Sequence, residues 1–186
     1  MALILPYKEK KPCFGSQVFL APNATIIGDV EIGDQASIWF GVVVRGDVNY
    51  IRIGKRTNIQ DLAMIHVTHH TAPTIIGDDV VVGHSVTLHG CVIASFSLIG
   101  TGATLLDHAR VESWSMVAAG ALVAPRTTVK SGYLYAGVPA KPLRRMTEAE
   151  KGNIRQSVNN YLAYQVEYAR RMPECVVNPA TQAKEV

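Results

Sequence analysis

The sequence lacks the features that would place it in a bilayer or on a nucleic acid. It has no apolar run of about 18 residues, so no membrane-crossing helix is expected. Met1–Pro6 is apolar but short and has no charged start, so no secretory leader is expected either. Only three cysteines occur, at positions 13, 91 and 175, without paired spacing. That excludes a disulfide framework and reads as free thiols of a reducing compartment, the cytoplasm; Cys91 reads as a small core residue. The net charge of +3 is not a basic patch: residues 1–140 carry ten basic and ten acidic side chains, and the excess, eight against five, lies in the remainder. No aromatics are interleaved with these charges to stack bases, so no nucleic-acid partner is expected. From about residue 14 to 136 there is no apolar period of about 3.6 residues, which argues against an amphipathic helix there.

What replaces it is a period of six. The register runs Leu20, Ile26, Ile32, Ile38, Val44, resumes at Ile53, Ile59, Ile65, and again at Ile76, Val82, Leu88. After a one-residue slip it continues through Ile93, Ile99, Leu105, Val111, Val117, Val123 and Val129. A small or β-branched residue commonly follows four positions later. Such self-similarity specifies a solenoid, since each unit can bury its apolar side only against its neighbours. Hexapeptide repeats build a parallel β-helix with three short strands per coil of about 18 residues. The aliphatics point inward, and Gly28-Asp29, Gly33-Asp34, Gly54 and Gly77-Asp78 suit turns with unusual backbone angles. The expectation is a mainly β protein with residues 1–142 as the β-helix domain. Gly137-Val-Pro-Ala-Lys141-Pro142 breaks the pattern. Thr147 and Glu150 then form a capping box, and Ile154, Val158, Tyr161, Leu162 and Tyr168 give one apolar helix face. Residues 143–172 are therefore expected as a C-terminal α-helix lying on the solenoid, and 173–186 as a flexible tail.

The repeat also places the histidines. His66 follows Ile65 and His89 follows Leu88, so both hold the second position of a hexad. They are 23 residues apart, and the register between Ile65 and Ile76 contains five extra residues; removing these leaves one coil. The two should stack. His84, two residues after Val82, should point elsewhere, so only a neighbouring copy could bring it to the pair. That predicts a site shared between subunits, and a three-sided prism favours a three-fold axis. Three imidazoles with an open fourth position suit catalytic zinc, which brings the pKa of bound water to about 7.

Arg45-Gly-Asp47, Asn58-Ile-Gln60-Asp61, His66, Gly83-His84 and His89-Gly-Cys91 together resemble the γ-class carbonic anhydrase family, over about residues 14–145. The resemblance implies a left-handed β-helix, a homotrimer and reversible hydration of CO2 to bicarbonate. It implies three zinc sites, each between two subunits, with His66 and His89 from one chain and His84 from the next. Ferrous iron and cobalt are the alternative divalent metals. Gln60 would hold a reacting oxygen and Asn58 would orient its neighbours. Tyr135 would stand near the metal pocket. Arg45, Asp47 and Asp61 are charges on coil strands, costly unless paired, and an Arg–carboxylate pair across the subunit contact is the expected use.

Two departures bear on rate. The best-known active members carry an acidic loop with a proton-shuttling glutamate, whereas Val67-Thr-His-His-Thr-Ala-Pro73 has no carboxylate, and Val48 stands where those enzymes have another glutamate. His69 or His70 could take the proton. Three other readings share the solenoid. A hexapeptide-repeat acyltransferase would use a CoA-type donor and one histidine as base. A metal-assisted hydrolase would act on acyl-CoA thioesters. A trimeric scaffold would have no chemistry.

Overall fold

The structure, a computed structural model, describes residues 1–177. Residues 14–136 wind into a parallel β-solenoid of about seven turns, with one helix at the C-terminal end. Most strands are two or three residues long and pair in parallel with the strand one coil away, so the backbone satisfies its own donors and acceptors from coil to coil. Three faces result. The first stacks Val18–Leu20, Ser37–Ile38, Asn58–Ile59, Val81–Val82, Leu98–Ile99, Met116–Val117 and Tyr133–Ala136. The second contains Met64–His66, Thr87–His89, Thr104–Leu105 and Leu122–Val123. The third contains Thr74–Ile76, Val92–Ile93, Arg110–Val111 and Thr128–Val129. Thr25–Ile32 and Val43–Ile53 are long enough to bend from the second face into the third.

The hexad aliphatics form the core. Every residue of the register, from Leu20 to Val129, is buried, and register pairs such as Ile38↔Ile59, Ile65↔Leu88 and Ile76↔Ile93 are direct rung partners. Cys91 is buried among them, and burial pushes its thiol up to about 12, which makes it an inert packing residue.

The corners differ from expectation. Among the four glycine positions read as turns, only Gly28 takes a positive φ, 79°. Gly33, Gly54 and Gly77 stack at one corner because successive coils approach closely there. A Cβ on Gly77 would lie 2.6 Å from the Ser95 backbone nitrogen. The left-handed angles fall instead mostly on residues with side chains, and at one corner these form a column. Gln35 Nε2 donates to Gln17 Oε1 at 3.2 Å. Arg56 pairs with Asp79, Nε to Oδ1 at 2.8 Å, and Phe96 stacks on Trp114 with centroids 4.6 Å apart. Each side chain there meets a partner one coil away, which offsets the cost of its backbone conformation.

The helix spans Glu148–Arg171, capped by Thr147 with the reciprocal Glu150 contact. Its 24 residues reach about 36 Å, enough to run back along the whole first face. Ile154 and Val158 bury against Val81, Leu134 and Met146, while Tyr161 and Tyr168 close edge-on over Trp39 near the first coils. The boundary expected at 142/143 falls inside Lys141–Arg145, a strand that returns antiparallel to Tyr133–Ala136. The tail expected from Pro173 is packed at its start: Cys175 is buried, and Val176–Val177 adds antiparallel to Val18–Phe19. The rest of that segment, 178–186, lies outside the described residues.

Two outcomes follow from this packing. Gly77→Ala should cost about 1–3 kcal/mol in chemical denaturation, because backbone rather than a movable side-chain tip blocks the added carbon. Hydrogen bonds from Arg144, then from the Thr147 backbone, hold the Glu150 carboxyl down to about 2 from 4.5. Its contribution is therefore complete above pH 4.5 and is lost as pH falls from there toward 2. Thermal melts at pH 6 and pH 3 should show a smaller acid-induced loss for Glu150→Gln than for the unaltered chain.

Candidate metal centre

The second face carries chemistry at both of its edges. At the edge facing the third face, His66 and His89 are direct rung partners, as the register arithmetic expects. Their rings meet: His66 Nδ1 lies 3.2 Å from His89 Nε2. The other nitrogen of each ring is tied to a carboxylate, His66 Nε2 to Asp47 Oδ1 at 3.0 Å and His89 Nδ1 to Asp107 Oδ1 at 2.7 Å. Asp47 reaches His66 because three extra residues between Val44 and Ile53 carry it out of the regular coil. Its other oxygen takes the Arg45 guanidinium. Arg45 and Asp47, two positions apart on one strand, thus pair within the chain.

The electrostatics favour a neutral His66 imidazole. Burial lowers the pKa of His66, helped by the charges of Arg45 and His89, and outweighs the opposing bond to Asp47. Burial raises Asp47 and Asp107, yet both remain below the usual carboxylate range. Arg45 and His66 outweigh burial in the first, and Thr68 and His89 in the second. Ionised carboxylates accept from ring N–H groups and leave the opposite nitrogen as a lone-pair donor, the arrangement of a histidine prepared to ligate a metal.

The opposite edge, between the first and second faces, holds the remaining residues. His84 sits there with its side chain 49% exposed and Nδ1 2.9 Å from Asp61 Oδ2. Asp61 therefore partners a histidine of its own chain. Gln60 lies one coil below, buried, and donates through Nε2 to Asn58 Oδ1 at 3.0 Å, so Asn58 holds Gln60 in place. The helix brings Tyr161 near Asp61; burial first, then that carboxylate, pushes the phenol up to about 12. Among the described residues no three His, Cys, Asp or Glu side chains of one chain converge as around a metal ion.

Tyr135 is not part of either edge. It is the inward residue above Val117, 5% exposed within the aliphatic core, three coils beyond the one that carries His84 and His89. Its hexad position points it inward, so it closes the core. His69 and His70 lie in the 67–73 loop with ring centroids 3.8 Å apart. Sequence reasoning missed Asp107, Thr68 and Tyr161. Asp107 is 18 residues after His89, a coil's length that points to it, but the one-residue slip after Leu88 puts Leu106 one rung above His89, so register counting passes over it.

Comparison with known proteins agrees with this architecture. Residues 14–46 match the model described as bacterial transferase hexapeptide (six repeats). The chain is 48% identical over 159 residues to gamma carbonic anhydrase 2, mitochondrial, of Arabidopsis thaliana, covering 83% of this chain but only 57% of that longer relative. It is 43% identical to a carbonic anhydrase of Geobacillus kaustophilus, over 78% of this chain and 80% of the relative. The crystal structure of a hexapeptide transferase family protein from Anaplasma phagocytophilum superposes with a TM-score of 0.86 at 45% identity, covering 89% of this chain and 98% of that one.

Proposed function

Because the chain belongs to the γ-class carbonic anhydrase family of hexapeptide-repeat proteins, we propose that it is a metal-dependent enzyme that hydrates CO2 reversibly at sites shared between the subunits of a homotrimer. One observation carries the reading: the facing nitrogens of His66 and His89 are 3.2 Å apart, and each ring is tethered behind by a carboxylate. Two ligands at metal–nitrogen distances of about 2.0–2.1 Å in a tetrahedral array lie about 3.3 Å apart, so this donor pair fits a metal of zinc type. Zinc, or ferrous iron or cobalt, would supply Lewis acidity and activate water near neutral pH.

His84 is the third ligand in this reading and comes from the next chain. The pair His66/His89 and the group His84/Gln60/Asp61 occupy opposite edges of the same face, so one chain's first edge meets its neighbour's second. That contact is heterologous, and such contacts close into rings. Leu62, 68% exposed, and Met64, 40% exposed, give the intervening surface an apolar character suited to burial against a neighbour. Gln60, steadied by Asn58, retains an amide hydrogen with which to hold an oxygen of CO2 or bicarbonate. Arg45 fixes Asp47, and Asp47 fixes His66. With Val48 and a loop free of carboxylates, proton export falls to His69, His70 or external buffer. An acyltransferase would rest on the repeat alone, and that repeat does not call for two carboxylate-tethered histidines.

Removing His66, His84 or His89 singly should reduce bound zinc sharply, measured by elemental analysis of the purified assembly. Refolding His84→Ala chains with His66→Ala chains in equal amounts should restore about one boundary in four, because an intact boundary draws one edge from each variant. Mixed assemblies that bind no more metal than either parent would refute the shared site. In stopped-flow CO2 hydration, turnover should rise with imidazole concentration as proton export is relieved. Absence of hydration with zinc, cobalt or iron, together with hydrolysis or transfer from acyl-CoA, would refute the reaction itself.

A further inference from the structure

The loop Val67–Pro73 has no carboxylate, yet it is closely tied to the histidine pair. Thr68 and Ala72 close it, with Thr68 N donating to Ala72 O at 2.9 Å, and Asn49 Nδ2 donates to the Thr68 carbonyl at 3.1 Å. The loop thereby holds the Thr68 hydroxyl over a later coil, where Oγ1 donates to Asp107 Oδ2 at 2.7 Å. The other oxygen, Oδ1, takes His89 Nδ1 at 2.7 Å. Gly90 makes the approach feasible: its φ is 59°, and a Cβ there would lie 2.6 Å from Asp107 Oδ1 and 2.7 Å from the Ala72 Cβ. Four features, the inserted loop, its threonine, the glycine after His89 and the aspartate of a later coil, thus converge on one ring nitrogen.

We propose that Asp107, held by Thr68, is a positioning residue that fixes the ring orientation and tautomer of His89. A carboxylate immobilised through its second oxygen can accept from Nδ1–H in one orientation only. The Nε2 lone pair is then directed at the gap shared with His66. Thr68 does for Asp107 what Arg45 does for Asp47: each clamps the outer oxygen of the carboxylate that grips a histidine. The five extra residues between Ile65 and Ile76 serve to deliver Thr68 to this position.

This inference rests on His66, His84 and His89 forming the metal centre, and the test separates the two. Cobalt affinity would be measured on the full-length assembly by chelator competition, with the visible absorption of bound cobalt as geometric readout. Nitrogen-15 shifts of the His89 ring would be recorded in metal-free protein. Asp107→Ala should weaken cobalt binding about 10–100-fold, alter its spectrum, and abolish the preference for the Nδ1–H tautomer. Asp107→Asn, which still offers an oxygen to Nδ1–H, should recover most of the affinity. Thr68→Val should produce a smaller loss and Thr68→Ser should restore it; these variants carry the test if Asp107→Ala does not assemble. Cobalt binding lost in His66→Ala but unchanged in affinity and spectrum in Asp107→Ala and Thr68→Val would overturn the positioning role and leave the metal centre standing. An unaltered assembly that binds no cobalt would overturn both.

Discussion

The backbone ladder between successive coils governs the rest of the molecule. Parallel strands stack at about 4.8 Å, and each rung holds its neighbour in register through hydrogen bonds such as those linking Ile59, Val82 and Ile99. A residue's chemical neighbour is thus the residue one coil away, wherever the chain stays regular. The core follows directly, because identical inward positions bring aliphatic onto aliphatic along the axis. The corner column of Gln17 with Gln35, Arg56 with Asp79 and Phe96 with Trp114 follows from the same rule applied to outward positions. Side chains that must leave the core find a like or complementary partner at the strand spacing.

The site is made by departures from that ladder. The extra residues before Ile53 carry Asp47 outward to His66, and those before Ile76 carry Thr68 to Asp107. The slip after Leu88 sets Asp107 one residue off the rung of His89, close enough to take its Nδ1. A regular solenoid would stack His66 and His89 but would leave both rings free to turn. The irregularities supply two clamped carboxylates, and imidazoles held from behind lose little orientational freedom when their free nitrogens engage a ligand. Charges on a β-surface are otherwise costly, and here Asp47 and Asp107 each have both oxygens hydrogen-bonded.

The helix links the two ends of the axis and screens the first face. It packs Ile154 and Val158 on the later coils and closes Tyr161 and Tyr168 on Trp39 near the start, leaving the second face uncovered among the described residues. That division separates roles. The first face is sealed by its own chain, while the second presents two chemically different edges with exposed apolar side chains between them. A surface with complementary edges suits the cyclic arrangement of identical copies proposed above, in which no single chain would need to gather all three histidines.

Counting apolar residues in sixes was enough to define the coil, the inward columns, the stacking of His66 on His89 and the separate direction of His84, because backbone register is a linear property of the chain. The Thr147–Glu150 cap and the helix face were equally local and equally legible. Tertiary structure alone decided which carboxylate meets which histidine, that Arg45 reaches Asp47, that Asp61 meets His84, and that Tyr135 closes the core. It also decided that left-handed angles fall on residues such as Arg56 and Trp114, while Gly54 and Gly77 answer to close contact. The physical reason is common to all of these. A repeat specifies where each Cα lies, but excursions from the repeat and the reach of each side chain across one coil determine which atoms meet, and neither is encoded in a period.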